Sequence, residues 1–278
     1  MTAVVLLSLC SAIAYGASDF IGGVLARRTS AWAIAATSQS AAALLALTMV
    51  AFNPIEPPAN ALAWGALGGI GASAGNVLIY RGLGSGRMSV VAPVSALAAA
   101  ALPVLVGLIT GERPGAQRLA GVAIALPAVW LVSGGGTGLR NVHVADVVNG
   151  LGAGLGFGLQ FSALGQIPRD AGLMPLALSQ IVSIAGIIVS AVLISAPWVP
   201  RDRHSRLGVV AGVLAGIATI CFQLATQAGL LTIAGVLASL YPAVTVVLAA
   251  FVLGERVQRS QGAGLALAAG AVVLIAMG

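Results

Sequence analysis

The chain has 278 residues, 59% of them hydrophobic and 7% charged, with a mean hydropathy of +1.05. A soluble domain carries roughly a quarter charged residues, so there is too little charge here to cover a globule, and the hydrophobicity is too high for disorder; the composition is that of an integral membrane protein. The net charge of +6 comes from thirteen arginines, no lysine and seven acids. The arginines fall singly or in small groups between apolar runs, which is a topology signal rather than a nucleic-acid-binding face.

A membrane-spanning helix needs about 20 predominantly apolar residues, and ten such runs follow one another. The first, 2–25, lacks a basic n-region and outruns a signal-peptide core, so it is expected to be a span rather than a cleaved leader. It carries Tyr15 and Asp19, the one acid well inside a span, and Arg27-Arg28-Thr29-Ser30 closes it. The second, 30–52, carries Gln39 and stops at Asn53 to Pro58. The third, 60–80, holds Asn76 and Tyr80, four residues apart and therefore on one helix face. The fourth, 88–110, contains Pro93 and Pro103 and breaks at Gly111-Glu112-Arg113-Pro114; the fifth is 115–134.

The sixth run, 146–167, carries Gln160 between Phe157 and Phe161. The seventh, 173–196, carries Gln180. The eighth, 206–228, holds Thr219 and Gln223, again four apart. The ninth, 233–253, includes Tyr241 and Pro242 and breaks at Gly254-Glu255-Arg256; the tenth is 259–277. The runs are too long and too uniform for the alternating strands of a β-barrel. Cys10 and Cys221 have no CxxC neighbour and are expected to be small buried hydrophobes. Loops 1–2, 3–4, 5–6, 7–8 and 9–10 hold ten arginines, against Arg113, Arg118 and Arg169 on the other side. The positive-inside rule then puts the ten-arginine side in the cytoplasm and both termini outside.

The chain repeats itself. At a shift of 143 residues Gly111-Glu112-Arg113 falls on Gly254-Glu255-Arg256, Gly86 on Gly229 and Gly121 on Gly264; upstream, at 141, Ser38-Gln39 falls on Ser179-Gln180. Each half, 1–135 and 136–278, therefore holds five spans. Five is odd, so the second half enters the membrane from the opposite side, giving two inverted five-helix repeats. That architecture belongs to secondary transporters, with the substrate site near the midplane between the halves.

Tyr15-Gly16-Ala17-Ser18-Asp19-Phe20, Tyr80-Arg81-Gly82-Leu83, Ser89-Val90-Val91-Ala92-Pro93, the two Gly-Glu-Arg breaks and Ala238-Ser239-Leu240-Tyr241-Pro242 are the motifs on which the chain resembles the EamA-like family of the drug/metabolite transporter superfamily. The resemblance covers nearly the whole chain. It implies ten-helix exporters of amino acids, small metabolites or drugs in a bacterial plasma membrane, with a central cavity lined mainly by spans 1–4 and 6–9, and spans 5 and 10 at the periphery.

Polar side chains inside spans tend to face the bundle or a cavity, and several recur at symmetric places. Asn76 and Tyr80 have Thr219 and Gln223 as repeat mates, and Gln39 has Gln180. With Tyr15, Gln160 and Tyr241 they form the candidate substrate-binding set; helix–helix hydrogen bonding is the alternative use for such groups. Asp19 is the candidate proton-coupling carboxylate, the alternative being a hydrated acid near the interface. Arg27 and Arg28 lie eight and nine residues on, about 12 Å along the axis, too far for pairing within the helix. Glu112 and Glu255 end helices, where a carboxylate opposes the dipole, so each is expected to have a compensating cation; for Glu112 the choices are Arg113, Arg118 and Arg169. These glutamates, with Arg113 and Arg256, are expected to be structural anchors or gate-side ion pairs, and Pro93 and Pro242 to be kinks or hinges.

The expected function is secondary export by alternating access, with a facilitator or importer and a non-transporting scaffold or receptor as alternatives. An intramembrane enzyme would need a nucleophile with a base, or metal ligands, within the spans; His143 and His204 sit in loops, and no cofactor or ATP motif is present. The partners expected are a small-molecule substrate, the lipid bilayer and protons as the coupling ion, in a monomer or homodimer.

Overall fold

The computed structural model describes residues 2–52, 54–84, 88–134 and 143–278, with backbone alone at 80–84 and 88–89. The side chains of Tyr80 and Arg81, and Gly86, Arg87 and Arg140, lie outside the described residues. The described chain is helical throughout: α1 Thr2–Ala26, α2 Ala31–Phe52, α3 Ala59–Gly84, α4 Met88–Ile109, α5 Ala116–Val132, α6 Val144–Gly165, α7 Met174–Leu193, α8 Arg203–Ala228, α9 Leu231–Ala238, α10 Tyr241–Leu253 and α11 Arg259–Met277. Nine segments among the described residues are long and apolar enough to cross a membrane, α9 and α10 counting together as one; α5, at 17 residues or about 25 Å, is the short tenth.

The ninth crossing is broken rather than kinked around an internal proline. Pro242 has no N–H to give the carbonyl four residues back, at Ala238, and the helix stops there. Ser239 and Leu240 make the turn, Ala243 N–H donates to the Leu240 carbonyl at 2.9 Å, and Pro242 sits in the first turn of α10. Pro93, by contrast, lies inside an unbroken α4.

Both Gly-Glu-Arg motifs end a helix in the same way. Gly111 and Gly254 have φ of +100° and +66°, a region closed to most L-residues but open to glycine, so the chain can turn off α4 and α10. Arg113 Nη1 then donates to the Leu108 and Glu112 carbonyls at the freed end of α4, at 3.1 and 2.9 Å.

Packing follows the repeat. α3 lies on α6 as α1 lies on α8, and α3 on α7 as α2 on α8; α2 meets α7 and α5 meets α11, each with its own mate. A Cβ added at Gly69 would run into the Ser179 carbonyl of α7, and one at its mate Gly212 into the Ser38 carbonyl of α2. Small residues are what let such backbones meet in lipid, where helix association rests on close packing.

One contact breaks the symmetry. The end of α4 packs on α9, with Pro103 against Gly235 and Gly107 beneath Thr232. The repeat predicts a matching contact between α10 and the start of α4, and no comparable packing is present among the described residues. The buried core accordingly gathers at one end of the bundle, around Val4, Leu164, Leu176, Phe222, Leu231 and Ile233. No residue of α10 is buried.

Candidate functional site

α1 sorts its side chains into two stripes. Leu6, Cys10 and Ile13 are exposed and lie along the outer wall, where lipid would cover them; Cys10 is thus a lipid-facing residue, not the buried one expected, and Cys221 is half-buried. Ser8, Ala12, Tyr15 and Asp19, three or four residues apart, share the opposite face. Ser8 and Ala12 are buried at 0% and 3% exposure, Tyr15 is half-buried and Asp19 is exposed. The inner face of α1 therefore runs from packed core into open space within the bundle. Asp19 stands in that vestibule, and Tyr15 is at its floor.

The floor is aromatic and hydrogen-bonded. Tyr15 meets Phe161 edge-on with ring centroids 5.8 Å apart, and Phe161 leans on Phe222 at 4.7 Å. The Tyr241 ring lies 6.2 Å from Tyr15. The Thr219 hydroxyl donates to the Ala215 carbonyl at 2.7 Å, so its one proton is used. The Tyr15 hydroxyl, 2.8 Å from Thr219 Oγ1, is then the donor in their bond. Asp19 lies one turn from Tyr15 on the same face of α1.

α10 is held against α1 at this level. Gly16 has the Tyr241 carbonyl and Val244 where a side chain would be, and Thr245 Oγ1 donates to the Gly16 carbonyl at 3.0 Å. Two residues further, on another side of α1, Ser18 donates to the Ala211 carbonyl of α8 at 2.8 Å. Tyr15, Asp19, Thr219 and Tyr241 thus come together as a set of one carboxylate, two phenols and a hydroxyl. Such a set can receive a hydrogen-bond donor or a cation, and it contains no nucleophile paired with a base.

The remaining candidates are placed elsewhere. Gln39 Nε2 donates to Ser183 Oγ at 2.8 Å in the α2–α7 seam, and Gln180 is buried one turn away. Gln223 is fully buried and donates to the Gly172 carbonyl at 3.2 Å, toward the packed end. Gln160 is buried where α6 runs against α3. Asn76 bonds the Ala72 carbonyl of its own helix at 2.8 Å. The Oε1 atoms of Gln180 and Gln223 are buried with no hydrogen-bond partner among the described residues.

Glu112 needs no arginine. Its carboxylate accepts Leu231 N–H at 2.5 Å, Thr232 N–H at 2.8 Å and the Thr232 hydroxyl, so it caps the first turn of α9. The expected cation is replaced by the positive end of another helix. Arg113 serves α4's own carbonyls and Arg118 reaches the Gly278 carbonyl at 2.6 Å. Glu255 does have a cation, Arg27 at 3.0 Å across the open end, and both side chains are well exposed; Arg256 follows it, also exposed.

The sequence gives no direct sign of Thr245, Ser183 or Thr232, and it suggests Arg27 only as a partner for Asp19, not for Glu255. Thr245 stands four residues from Tyr241 and Ser183 three from Gln180, spacings that put each on its partner's face. Thr232 has a hydroxyl repeat mate in Ser89. A laterally open groove of about 320 Å³ between α4, α5 and α6 is lined by Leu97, Leu102, Leu105 and Leu155; it lies on the outer wall and is separate from this site.

The model of the EamA-like transporter family matches twice, at residues 2–134 and 147–277. A solved structure described only as "Crystal structure of protein" has a TM-score of 0.78 over 100% of this chain and 97% of its own, at 15% identity, a likeness of fold alone. No curated protein matches the chain by sequence.

Proposed function

The chain belongs to the EamA-like transporter family, and from that premise we propose that it exports small metabolites, amino acids or drugs by alternating access, binding them in the vestibule between Tyr15, Asp19, Thr219 and Tyr241. Family membership makes it a multi-pass membrane transporter and not an enzyme. The observation that carries the finer reading is the inner face of α1, which passes from buried Ser8 to exposed Asp19 within three turns. A binding chamber packed shut at one end and open at the other is what alternating access requires in any one state.

The two halves, 1–135 and 136–278, act as the bodies that rock against each other. Asp19 carries the coupling proton, since an ionisable side chain inside a membrane domain is functional by default. The remaining polar candidates line or brace the chamber as the halves move, Gln39 and Gln180 across the α2–α7 seam. The open end carries Arg27, Arg28, Arg256 and Arg259, so by the arginine count it faces the cytoplasm, with the termini outside the bacterial plasma membrane.

Flux into proteoliposomes tests this. A mixed pool of amino acids and cationic dyes is offered with and without an imposed pH gradient, to wild type and to Asp19→Asn. Gradient-driven uptake in wild type that is lost in Asp19→Asn, with exchange retained, is the expected result. Uptake indifferent to gradient and to Asp19 makes the protein a facilitator, and no flux above empty liposomes for any compound overturns the chamber.

A further inference from the structure

We propose that Glu112 and Glu255 are paired latches that close opposite ends of the chamber in turn, each by capping the helix of the other repeat. The closed latch is the one this structure holds. Glu112 holds the first turn of α9 through two backbone N–H groups and the Thr232 hydroxyl, where α4 and α9 are in contact. Charge-assisted bonds to a helix N-terminus are among the stronger polar contacts a carboxylate makes.

The open latch follows from the repeat. The shift that puts Glu112 on Glu255 puts Leu231-Thr232 on Met88-Ser89, the first residues of α4, and Ser89 keeps the hydroxyl that Thr232 uses. It also puts Gly235 and Pro103, which touch at the closed end, on Ala92 and Val246. In the opposite state Glu255 therefore accepts the Met88 and Ser89 amides, Ala92 meets Val246, and Glu112 releases α9.

In the state described, Glu255 is instead held by Arg27, with side chains 66% and 49% exposed for Arg27 and Glu255. An ion pair that open to water is weak, so Arg27 parks the carboxylate without trapping it. The inference rests on the alternating-access reading and adds the residues that switch it.

The test is cross-linking of Ala92→Cys with Val246→Cys in a chain carrying Cys10→Ala and Cys221→Ala, in liposomes without substrate. The parent should cross-link poorly. Glu112→Gln should raise the yield severalfold by releasing the closed end. Arg27→Ala, which leaves Glu112 untouched and so guards against a simple folding defect, should also raise it, and adding Glu255→Gln should remove that rise. Yields that ignore all three changes, or Glu255→Gln failing to reverse Arg27→Ala, overturn the latch. Shifts in cross-linking without any flux would sustain the latch and defeat the transport reading; flux with unmoved cross-linking would do the opposite.

Discussion

Gly16 packs directly against α10, and adding one methyl there should push the two helices apart. A Cβ built on Gly16 would stand 2.5 Å from the Tyr241 carbonyl oxygen and 2.6 Å from Val244 Cβ. Ordinary C···O contacts are about 3.3–3.6 Å, so the helices must part by roughly 0.8–1 Å. That lengthens the 3.0 Å bond from Thr245 to the Gly16 carbonyl beyond use, a loss of about 0.6 kcal/mol in a membrane bundle. Overpacking adds about 1–3 kcal/mol. Gly23, on the same helix, has nothing within 4 Å, so Gly23→Ala is a control that gains only helix propensity. With roughly 2–4 °C of melting temperature per kcal/mol, Gly16→Ala should melt about 5–10 °C below Gly23→Ala in detergent. The assay is thermal aggregation followed by fluorescence-detected size exclusion. Equal melting of the two variants would refute the claim that bare backbone at Gly16 sets the position of α10.

Thr219→Val removes the acceptor of the Tyr15 hydroxyl and should raise the KM of whichever compound is carried by about threefold, the equivalent of one membrane hydrogen bond, with kcat nearly unchanged in the flux assay. Gly69→Val and Gly212→Val, at mated positions against carbonyls, should lower folded yield to a similar degree, while Gly262→Val and Gly270→Val, with open space around them, should not. Asp202 caps α8 through His204 and Ser205 N–H and accepts the Thr29 hydroxyl at 2.6 Å. The Thr29 bond first, and the Ser205 amide next, hold its carboxyl at about 2, below the ordinary 3.8. A carboxyl acidified by folding stabilises above its unfolded value and loses that effect as pH falls through its folded one. The stability gap between wild type and Asp202→Ala should therefore be constant from neutral pH to about 4 and shrink toward pH 2, measured as melting temperature against pH.

The spans were legible because hydrophobic run length is a direct consequence of bilayer thickness, and the inverted repeat was legible because Gly-Glu-Arg and Ser-Gln recur at a near-constant shift. The break before Pro242 was less so: Ser239 and Leu240 do not lower the hydropathy of the run, and the proline signal fixes a helix boundary only when nothing else carries the chain through, as it does at Pro93. The sequence marks Glu112 as an anchor and offers Arg113, Arg118 and Arg169 as its partners. A backbone amide is carried by every residue except proline and leaves no mark on the sequence, so a helix N-terminus from the other repeat could not be read. Among the polar candidates, symmetry pairs Thr219 with Asn76 but does not place it beside Tyr15. Nor does it separate Thr219 and Tyr15 from Gln223, whose seat at the packed end depends on which end is shut. That asymmetry has no counterpart in a repeated sequence, since both ends are written alike.

Alternating access requires a chamber that water reaches from one face at a time. With Cys10 and Cys221 replaced by alanine, Asp19→Cys should react with a membrane-impermeant thiol reagent in inside-out vesicles at least tenfold faster than in intact cells. Adding Glu112→Gln should bring the two rates together. Equal and slow labelling from both faces, as for a side chain buried in lipid or core, would contradict the account, and so would faster labelling in intact cells.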